Sequence, residues 1–166
     1  GDILIGNRNL NQLSSGEKSK FRRDRIGFVF QAYNLIPVLT AYENAEFILT
    51  LQGVSKPIRK KKVMALLEQV GLKGLEDRRP DEMSGGQQQR IAIVRAMVTE
   101  PAIVLADEPT ANVDSQTAKR ILDLMETLNR DHGVTFLFST HDTKVIDRAR
   151  RVIRMRDGRI EEDIKK

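Results

Sequence analysis

The chain has 166 residues, of which 40% are hydrophobic and 31% charged, a balance typical of a globular domain rather than a disordered segment. It has no cysteine, which excludes disulfides and thiol chemistry, and no apolar run long enough to cross a bilayer. The net charge of +5 fits nucleic acid, anionic lipid or nucleotide phosphate as partners. Because no basic motif interleaved with aromatic residues occurs, we expect no nucleic-acid binding.

The chain opens with two predicted strands separated by a short helix. Gly1–Asn7 reads as a strand that runs into a turn, and Ser14 or Ser15 can cap the helix. Ile26–Phe30 combines apolar, aromatic and β-branched residues, as strands do, and Gln31 follows at its end. A polar amide at the end of a strand can reach a metal ion or a water while its backbone stays anchored.

The next part of the chain predicts a loop and two helices. Pro37 makes residues 32–40 an extended or looped segment, whose apolar side chains stay exposed unless something covers them. Thr40-Ala41-Tyr42-Glu43 has the spacing of a capping box and opens the first helix. The second helix is amphipathic and stops at Gly71. Its basic run, Arg59-Lys60-Lys61-Lys62, is most simply its exposed side, with contact to lipid headgroups as the weaker alternative.

A further helix is predicted to start at Ser84-Gly85-Gly86-Gln87. Ser84 can cap it, and Gln87 three residues later can reach back to complete a capping box. Gly85 and Gly86 leave the first backbone N–H groups uncovered by side chains. Such a helix start is a ready anion site, because its amides are unpaired and its dipole end is positive.

A short apolar run from Ala102 predicts a buried parallel strand that ends in two adjacent acids, Asp107 and Glu108. An acid in that place suits a water-bridged magnesium ion, and a second acid beside it can orient a hydrolytic water. Asp114 or Ser115 then caps another amphipathic helix.

The last part of the chain predicts one more strand and a hairpin. Val134–Phe138 is the strand, and His141 lies just past its end. A short helix over 142–149 follows, and Asp157-Gly158 is a two-residue hairpin signal between two strands. Strands that alternate with helices predict a parallel α/β sheet, in which ligands bind outside the carboxyl ends of the strands.

Taken in order, five segments resemble motifs of the ATP-binding subunit of an ABC transporter. They correspond to the Q-loop strand, the signature, the Walker B strand with the catalytic glutamate, the D-loop and the switch histidine loop. In that order they are Gly27–Gln31, Ser84–Gln87, Ile103–Glu108, Ala111–Asp114 and Ser139–Asp142. The sequence departs from the usual family pattern at Met83, Ala111 and Val113, where leucine, glycine or serine, and leucine are commoner.

The resemblance implies a P-loop NTPase (RecA-like) α/β core, a parallel sheet with an inserted helical subdomain. It divides one domain into a core part up to the Q-loop (1–31), a helical subdomain with the signature helix (32–99), and a core part with Walker B, D-loop and switch histidine (100–166). No Gly-x-x-x-x-Gly-Lys-Ser/Thr occurs in the sequence. In the family that phosphate loop precedes the position where this chain begins, so we expect an N-terminally incomplete domain that lacks the N-terminal strands and the phosphate loop.

The resemblance also implies ATP and Mg²⁺ as cofactors and a second ATPase subunit as partner. It makes Glu108 the catalytic glutamate and His141 the phosphate-contacting histidine, with Asp107 and Gln31 serving the magnesium ion. The signature would close over ATP held by the second subunit, and Asp114 would communicate across the dimer. The residues implied to bind the nucleotide are Gln31, Ser84, Gly85, Gly86, Gln87, Asp107 and Asp114.

The segment after Gln31 resembles the lipoprotein-releasing and macrolide-export branch of the family. That branch implies an integral-membrane permease of the FtsX type as partner, and a peripheral place on the cytoplasmic face of the membrane. We expect the permease to contact an apolar set, with a small local core as the alternative: Leu35, Ile36, Val38, Leu39 and Tyr42.

Two other functions would use related motifs. A regulatory ABC ATPase that moves no substrate and signals to cell-wall or division enzymes remains open. A DNA-repair ABC ATPase needs long coiled coils, and the segment between Gln31 and Ser84 has no room for them.

Overall fold

The structure, a computed structural model, describes all 166 residues as seven strands and six α-helices. The strands are β1 (Leu4–Ile5), β2 (Arg8–Asn9), β3 (Ile26–Val29), β4 (Ile103–Asp107), β5 (Thr135–Ser139), β6 (Arg151–Arg156) and β7 (Arg159–Lys165). The helices are α1 (Ser15–Arg25), α2 (Ala41–Leu51), α3 (Lys56–Gln69), α4 (Gly85–Met97), α5 (Ser115–His132) and α6 (Thr143–Arg148). None of the helices has both the length and the apolar character needed to cross a membrane.

The central sheet has three parallel strands in the order β3-β4-β5. Val29 pairs with Ala106, and Asp107 pairs with Ser139, so all three strands end at the same edge. The parallel α/β sheet predicted from the alternation of strands and helices is therefore confirmed. The chain positions just past this edge hold Gln31, Glu108 and His141.

Three helices begin with a reciprocal capping box, at Ser14, Thr40 and Ser84. The boxes at Thr40 and Ser84 were predicted from the sequence, and of the two caps considered for α1 the structure uses Ser14. At the start of α4 the Ser84 backbone N–H donates to Gln87 Oε1 at 2.8 Å, and the Gln87 N–H donates to Ser84 Oγ at 3.3 Å. Each such cap stabilises its helix by about 1 kcal/mol. The caps also fix where each helix starts. Ser84, the cap of α4, is exposed at the surface.

Helix α4 is the centre of the hydrophobic core. Ile91, Ile93 and Val94 are fully buried on different sides of it, as expected for a helix surrounded by other elements. The helix packs against α2, α3, α5 and β3. At β3 it approaches so closely that a Cβ on Gly27 would lie 2.5 Å from the Ala96 carbonyl oxygen. The end of α4 and the start of β3 are therefore held in a fixed relation.

Some predicted boundaries differ from the structure. The predicted strand Gly1–Asn7 is a short β1–β2 hairpin, because Gly6 adopts a positive φ of 57° and turns the chain. Strand β3 ends one residue earlier than predicted, and β5 starts and ends one residue later. The hairpin at Asp157-Gly158 is confirmed, and both residues have the positive φ that its turn requires.

Candidate functional site

Two acidic residues lie where β4 ends. Asp107 is the last residue of the strand and is exposed, whereas the Glu108 side chain is only 19% exposed. Glu108 has a φ of 42°, a left-handed conformation that is strained for a residue with a Cβ. Its backbone N–H donates to the Ser139 carbonyl at 2.9 Å, so the chain turns the Glu108 side chain toward the end of β5.

The Glu108 carboxylate is held by the loop that follows β5. The Thr140 hydroxyl donates to one carboxylate oxygen at 2.9 Å, and the His141 backbone N–H donates to the other at 3.0 Å. His141 Nδ1 lies 2.5 Å from that second oxygen. Thr140 is in turn fixed by the Asp142 N–H, which donates to its hydroxyl at 3.0 Å. The structure thus brings together the two residues predicted to be catalytic.

These contacts set the charge of the site. Burial raises the pKa of Glu108, but the hydrogen bonds from Thr140 and His141 lower it more, so the pKa lies below the ordinary glutamate value. The carboxylate is therefore ionised at neutral pH and fixed in direction. Such a group can accept a hydrogen bond from a water molecule and polarise it for attack. The His141 side chain is 90% exposed, which leaves its outer edge free to meet a ligand.

Gln31 is exposed, and its side chain makes no hydrogen bond within the chain, so it is free to reach a ligand. Its backbone is anchored, because Asn112 Nδ2 donates to the Gln31 carbonyl at 3.0 Å. The two residues that follow Ala32, Tyr33 and Asn34, both have positive φ, of 60° and 50°. The Arg95 guanidinium donates to the carbonyls of both, at 2.8 and 2.5 Å, and holds this loop against α4.

The two glycines at the start of α4 are needed for a reason that the sequence did not reveal. A Cβ on Gly85 would lie 2.8 Å from the Tyr33 hydroxyl, and one on Gly86 would lie 2.5 Å from Thr117 Cγ2. Close packing against neighbouring segments therefore requires glycine at both positions, in addition to leaving amides uncovered. The Tyr33 hydroxyl also donates to the Asn112 carbonyl at 3.1 Å, so the loop after Gln31, the start of α4 and the loop after β4 meet at one side chain.

Asp114 caps α5, where it accepts from the N–H groups of Gln116 and Thr117, both at 3.0 Å. The hydrogen bonds from Thr117 lower the pKa of the Asp114 carboxyl. Of the two capping residues considered, Asp114 is thus the one used. The structure does not place Asp114 in contact with Glu108 or His141, and its carboxylate is engaged in its own helix.

The residues present fit a magnesium ion held mainly by phosphate oxygens. The structure has no cluster of three or more histidine, cysteine, aspartate or glutamate residues that would hold a metal by themselves. Mg²⁺ in nucleotide sites usually takes only one or two protein ligands, with phosphates and waters as the others. Asp107 and Gln31 follow paired positions of neighbouring strands, since Val29 pairs with Ala106, and both are exposed.

Several residues that shape this site were not predicted from the sequence. Gln89 is fully buried in α4, and its Nε2 donates to the carbonyl of Pro109, directly after Glu108. Its Oε1 is buried without a partner. A signal for Arg95 existed, because it is the one charged residue in the otherwise apolar stretch Ile91–Met97. Gln89 stands among other polar residues, Gln87–Arg90, and nothing in the sequence set it apart. Asn112 and Thr140 lie inside the segments that resemble the D-loop and the switch histidine loop, but the sequence did not indicate their contacts with Gln31 and Glu108.

Comparisons with known proteins identify the family. A family model described as "ABC transporter" matches residues 1–111. The ABC transporter ATP-binding protein YtrE of Bacillus subtilis is 43% identical over 158 residues, which cover 95% of this chain and 68% of YtrE. The macrolide export ATP-binding/permease protein MacB of Rhodopirellula baltica is 42% identical over 167 residues, which cover 99% of this chain and 24% of MacB.

Solved structures of ATP-binding cassettes share the fold of this chain. The dimeric ATP-binding cassette MJ0796 in a post-hydrolysis state, bound to ADP and Pi, superposes with a TM-score of 0.85 at 41% identity. The superposition covers 99% of this chain and 73% of MJ0796. MJ0796 of Methanocaldococcus jannaschii is also 42% identical by sequence over 169 residues. The family match, the close relatives and the shared fold show that the chain belongs to the ABC transporter family as one of its ATP-binding domains, which are ATPases.

Proposed function

We propose that the chain is the ATP-hydrolysing part of a transporter subunit that powers a membrane permease. The export type, for lipoproteins, macrolides or antimicrobial peptides, is supported by the similarity to a protein named for macrolide export. The observation that carries the proposal is the ionised Glu108 carboxylate, fixed by Thr140 and His141 at the common end of β4 and β5. We place the subunit on the cytoplasmic face of the membrane, where its permease and ATP are both available.

In this proposal Glu108 polarises the water that attacks the terminal phosphate. Thr140 and the His141 backbone hold the carboxylate in the required direction, and the exposed side of His141 contacts the γ-phosphate. Asp107 and Gln31 would hold the magnesium ion, which would supply neutralisation of the phosphate charge. Asp107 would do so from the end of a strand, and Gln31 from a backbone that Asn112 anchors.

Two subunits would pair head to tail, so that Ser84–Gln87 of one covers ATP bound to the other. The solved dimers of the MJ0796 cassette support the pairing of two such domains. The start of α4 is suited to the role, because the first N–H groups of a helix have no helical partner, two of them here belong to glycines, and they carry the positive end of the helix dipole. Asp114 lies at the start of the neighbouring helix α5, where we propose that it senses the partner subunit.

The test is Glu108→Gln in a subunit that also carries a phosphate loop. ATP should still bind, while phosphate release should fall by about 100-fold or more, as expected for loss of a general base. Glu68→Gln on the surface of α3 removes the same charge away from the site and should leave the rate unchanged. Near-normal hydrolysis by Glu108→Gln would remove this residue from the proposed role.

The proposed permease contact is the loop between β3 and α2. Val38 is 71% exposed, whereas Leu35, Ile36, Leu39 and Tyr42 are half-buried. Leu35 and Tyr42 also pack against the hydrophobic core, so the small local core and an exposed apolar surface are both present. We propose that Val38 leads the contact and that its half-buried neighbours form the sides of a groove for a permease helix.

Val38→Asp tests this contact without disturbing the core. It should weaken association with the permease in pull-down experiments while leaving the thermal unfolding of the chain unchanged. Met155→Asp, at a side chain that is 64% exposed on the β6–β7 hairpin, is the matched control and should bind the permease normally. Equal binding by both variants would contradict the proposed contact.

Deleting the gene and scoring drug resistance against cell-division defects separates a transporter from a regulatory ATPase.

A further inference from the structure

The junction between α2 and α3 carries positive charge that neither the fold nor the proposed ATP site uses. From Phe47 to Leu67 the chain contains no aspartate or glutamate but five basic residues. Two of them are neutralised: Arg59 pairs with Glu46 at 2.8 Å, and Lys62 pairs with Glu100 at 2.8 Å. The other three are exposed and form no ion pair or hydrogen bond in the structure: Lys56, Lys60 and Lys61.

These lysines stand where positive charge weakens the helix. They occupy the first two turns of α3, and the N-terminal end of a helix already carries a positive partial charge. The first turn has no acidic residue, and Ser55 makes no side-chain cap. Local helix stability therefore gives no reason for three lysines in this place, which suggests that they serve an external partner.

Two apolar side chains accompany the lysines. Leu51, the last residue of α2, is 55% exposed, and Ile58 on α3 is 51% exposed. Ile58 and Lys61 are three residues apart on α3, which puts them on neighbouring positions of one side of the helix. Lys56 and Lys60, four residues apart, lie together on another side of α3, so the set surrounds the exposed first turns of the helix rather than sharing one face. We call Leu51, Lys56, Ile58, Lys60 and Lys61 the basic corner.

The chemistry of the basic corner fits a lipid surface better than a nucleic acid. Lysine can lay its apolar stem along hydrocarbon while its ammonium group reaches the headgroups, and aliphatic side chains between lysines can enter the headgroup boundary. A surface for single-stranded nucleic acid would instead use exposed aromatic or arginine side chains on which bases stack, and the basic corner has none. Its uncompensated charge is complementary to anionic headgroups.

We propose that the basic corner docks on an anionic lipid bilayer. This contact would hold the helical part of the chain against the membrane, next to the permease of the proposed function. It rests on that function only for the presence of a membrane, because lipid binding requires neither ATP nor a permease. Each lysine close to an anionic surface contributes about fivefold to the affinity, and the three together about 100-fold.

Vesicle flotation of the full chain tests the proposal, because lipid-bound protein floats and aggregated protein does not. The chain should float with vesicles of phosphatidylcholine mixed with phosphatidylglycerol and stay behind with pure phosphatidylcholine. Binding should disappear at about 1 M salt, where the screening length is about 3 Å. The triple variant Lys56→Gln, Lys60→Gln, Lys61→Gln should bind about 100-fold more weakly, and Leu51→Ser with Ile58→Ser about tenfold more weakly.

The matched control is Lys18→Gln, Lys20→Gln, Lys165→Gln, which removes the same charge from exposed lysines elsewhere. It should retain the affinity of the original chain to within about twofold. Equal losses in both triple variants would show that net charge alone causes binding and would overturn the proposal. So would the absence of flotation with anionic vesicles at low salt, or displacement of the chain from vesicles by short DNA duplexes. None of these outcomes bears on ATP hydrolysis, which Glu108→Gln tests separately.

Discussion

Asn44 offers a sharp test of how the loop before α2 is held. Its side chain is fully buried and makes four hydrogen bonds to the loop backbone. Oδ1 accepts from the Ile36 N–H at 2.8 Å, and Nδ2 donates to the carbonyls of Ile36, Leu39 and Thr40 at 3.0 to 3.1 Å. One buried amide thus fixes the segment that presents Val38 to solvent.

Asn44→Ala should destabilise the chain by about 3–5 kcal/mol. Each lost hydrogen bond contributes about 1 kcal/mol, and backbone groups left buried without a partner cost further free energy. The free energy of unfolding, measured by urea denaturation, gives the magnitude. Hydrogen exchange of the loop amides gives the location, and Ile36 should lose its protection.

Asn7→Ala is the control, because Asn7 is exposed and its side chain makes no hydrogen bond. It should change the free energy of unfolding by less than about 0.5 kcal/mol. A loss below about 1 kcal/mol for Asn44→Ala, with Ile36 still protected, would refute the idea that this amide holds the loop.

Four other outcomes concern the Glu108 carboxylate, Gln89, the affinity for Mg-ATP and the edge strand β5. The pKa of Glu108 is lower in the folded chain than in the unfolded one, so its ionised form stabilises the fold above the ordinary glutamate pKa. This stabilisation is lost as the pH falls through the lower folded pKa. Urea titrations should therefore show that the difference in free energy of unfolding between the original chain and Glu108→Gln disappears in acid. Gln89→Leu removes the donor to the Pro109 carbonyl, directly after Glu108. In a subunit that carries a phosphate loop, this variant should lower ATP turnover while the KM for ATP stays constant. Unchanged turnover would contradict the idea that Gln89 positions Glu108. The 166-residue chain alone should bind Mg-ATP poorly, because it has no phosphate-loop motif to donate hydrogen bonds to the phosphates. The absence of about three charge-assisted hydrogen bonds costs about 5–8 kcal/mol, or roughly four to six decades in affinity. Micromolar binding in calorimetry would contradict this. Leu137 is 54% exposed on the edge strand β5, so the isolated chain should aggregate, and Leu137→Lys should reduce the light scattering of its solutions.

The sequence was most informative where the deciding groups lie close together along the chain. The capping boxes at Thr40 and Ser84 join groups three residues apart, so both helix starts were predicted correctly. The meeting of Glu108 and His141 was also within reach, because the ends of parallel strands share one edge of the sheet. The resemblance to the ABC transporter family named these same residues.

Contacts between segments that are far apart in the chain could not be predicted from the sequence. Tyr33 and Asn112 are 79 residues apart, and the sequence around neither residue predicts the hydrogen bond between them. Arg95 meets the Tyr33 carbonyl only because α4 packs on β3, which depends on the absence of a side chain at Gly27. Such contacts are set by packing geometry, which the spacing of residue types along the chain does not contain.

The most direct test of the account is the association state of Glu108→Gln in a subunit that carries a phosphate loop. If Glu108 acts only in hydrolysis, the variant should bind Mg-ATP, trap it between Ser84–Gln87 of one copy and the phosphate loop of another, and sediment as a stable dimer in analytical ultracentrifugation. Without nucleotide it should sediment as a monomer. Persistent phosphate release, or a monomer in saturating Mg-ATP, would contradict the account.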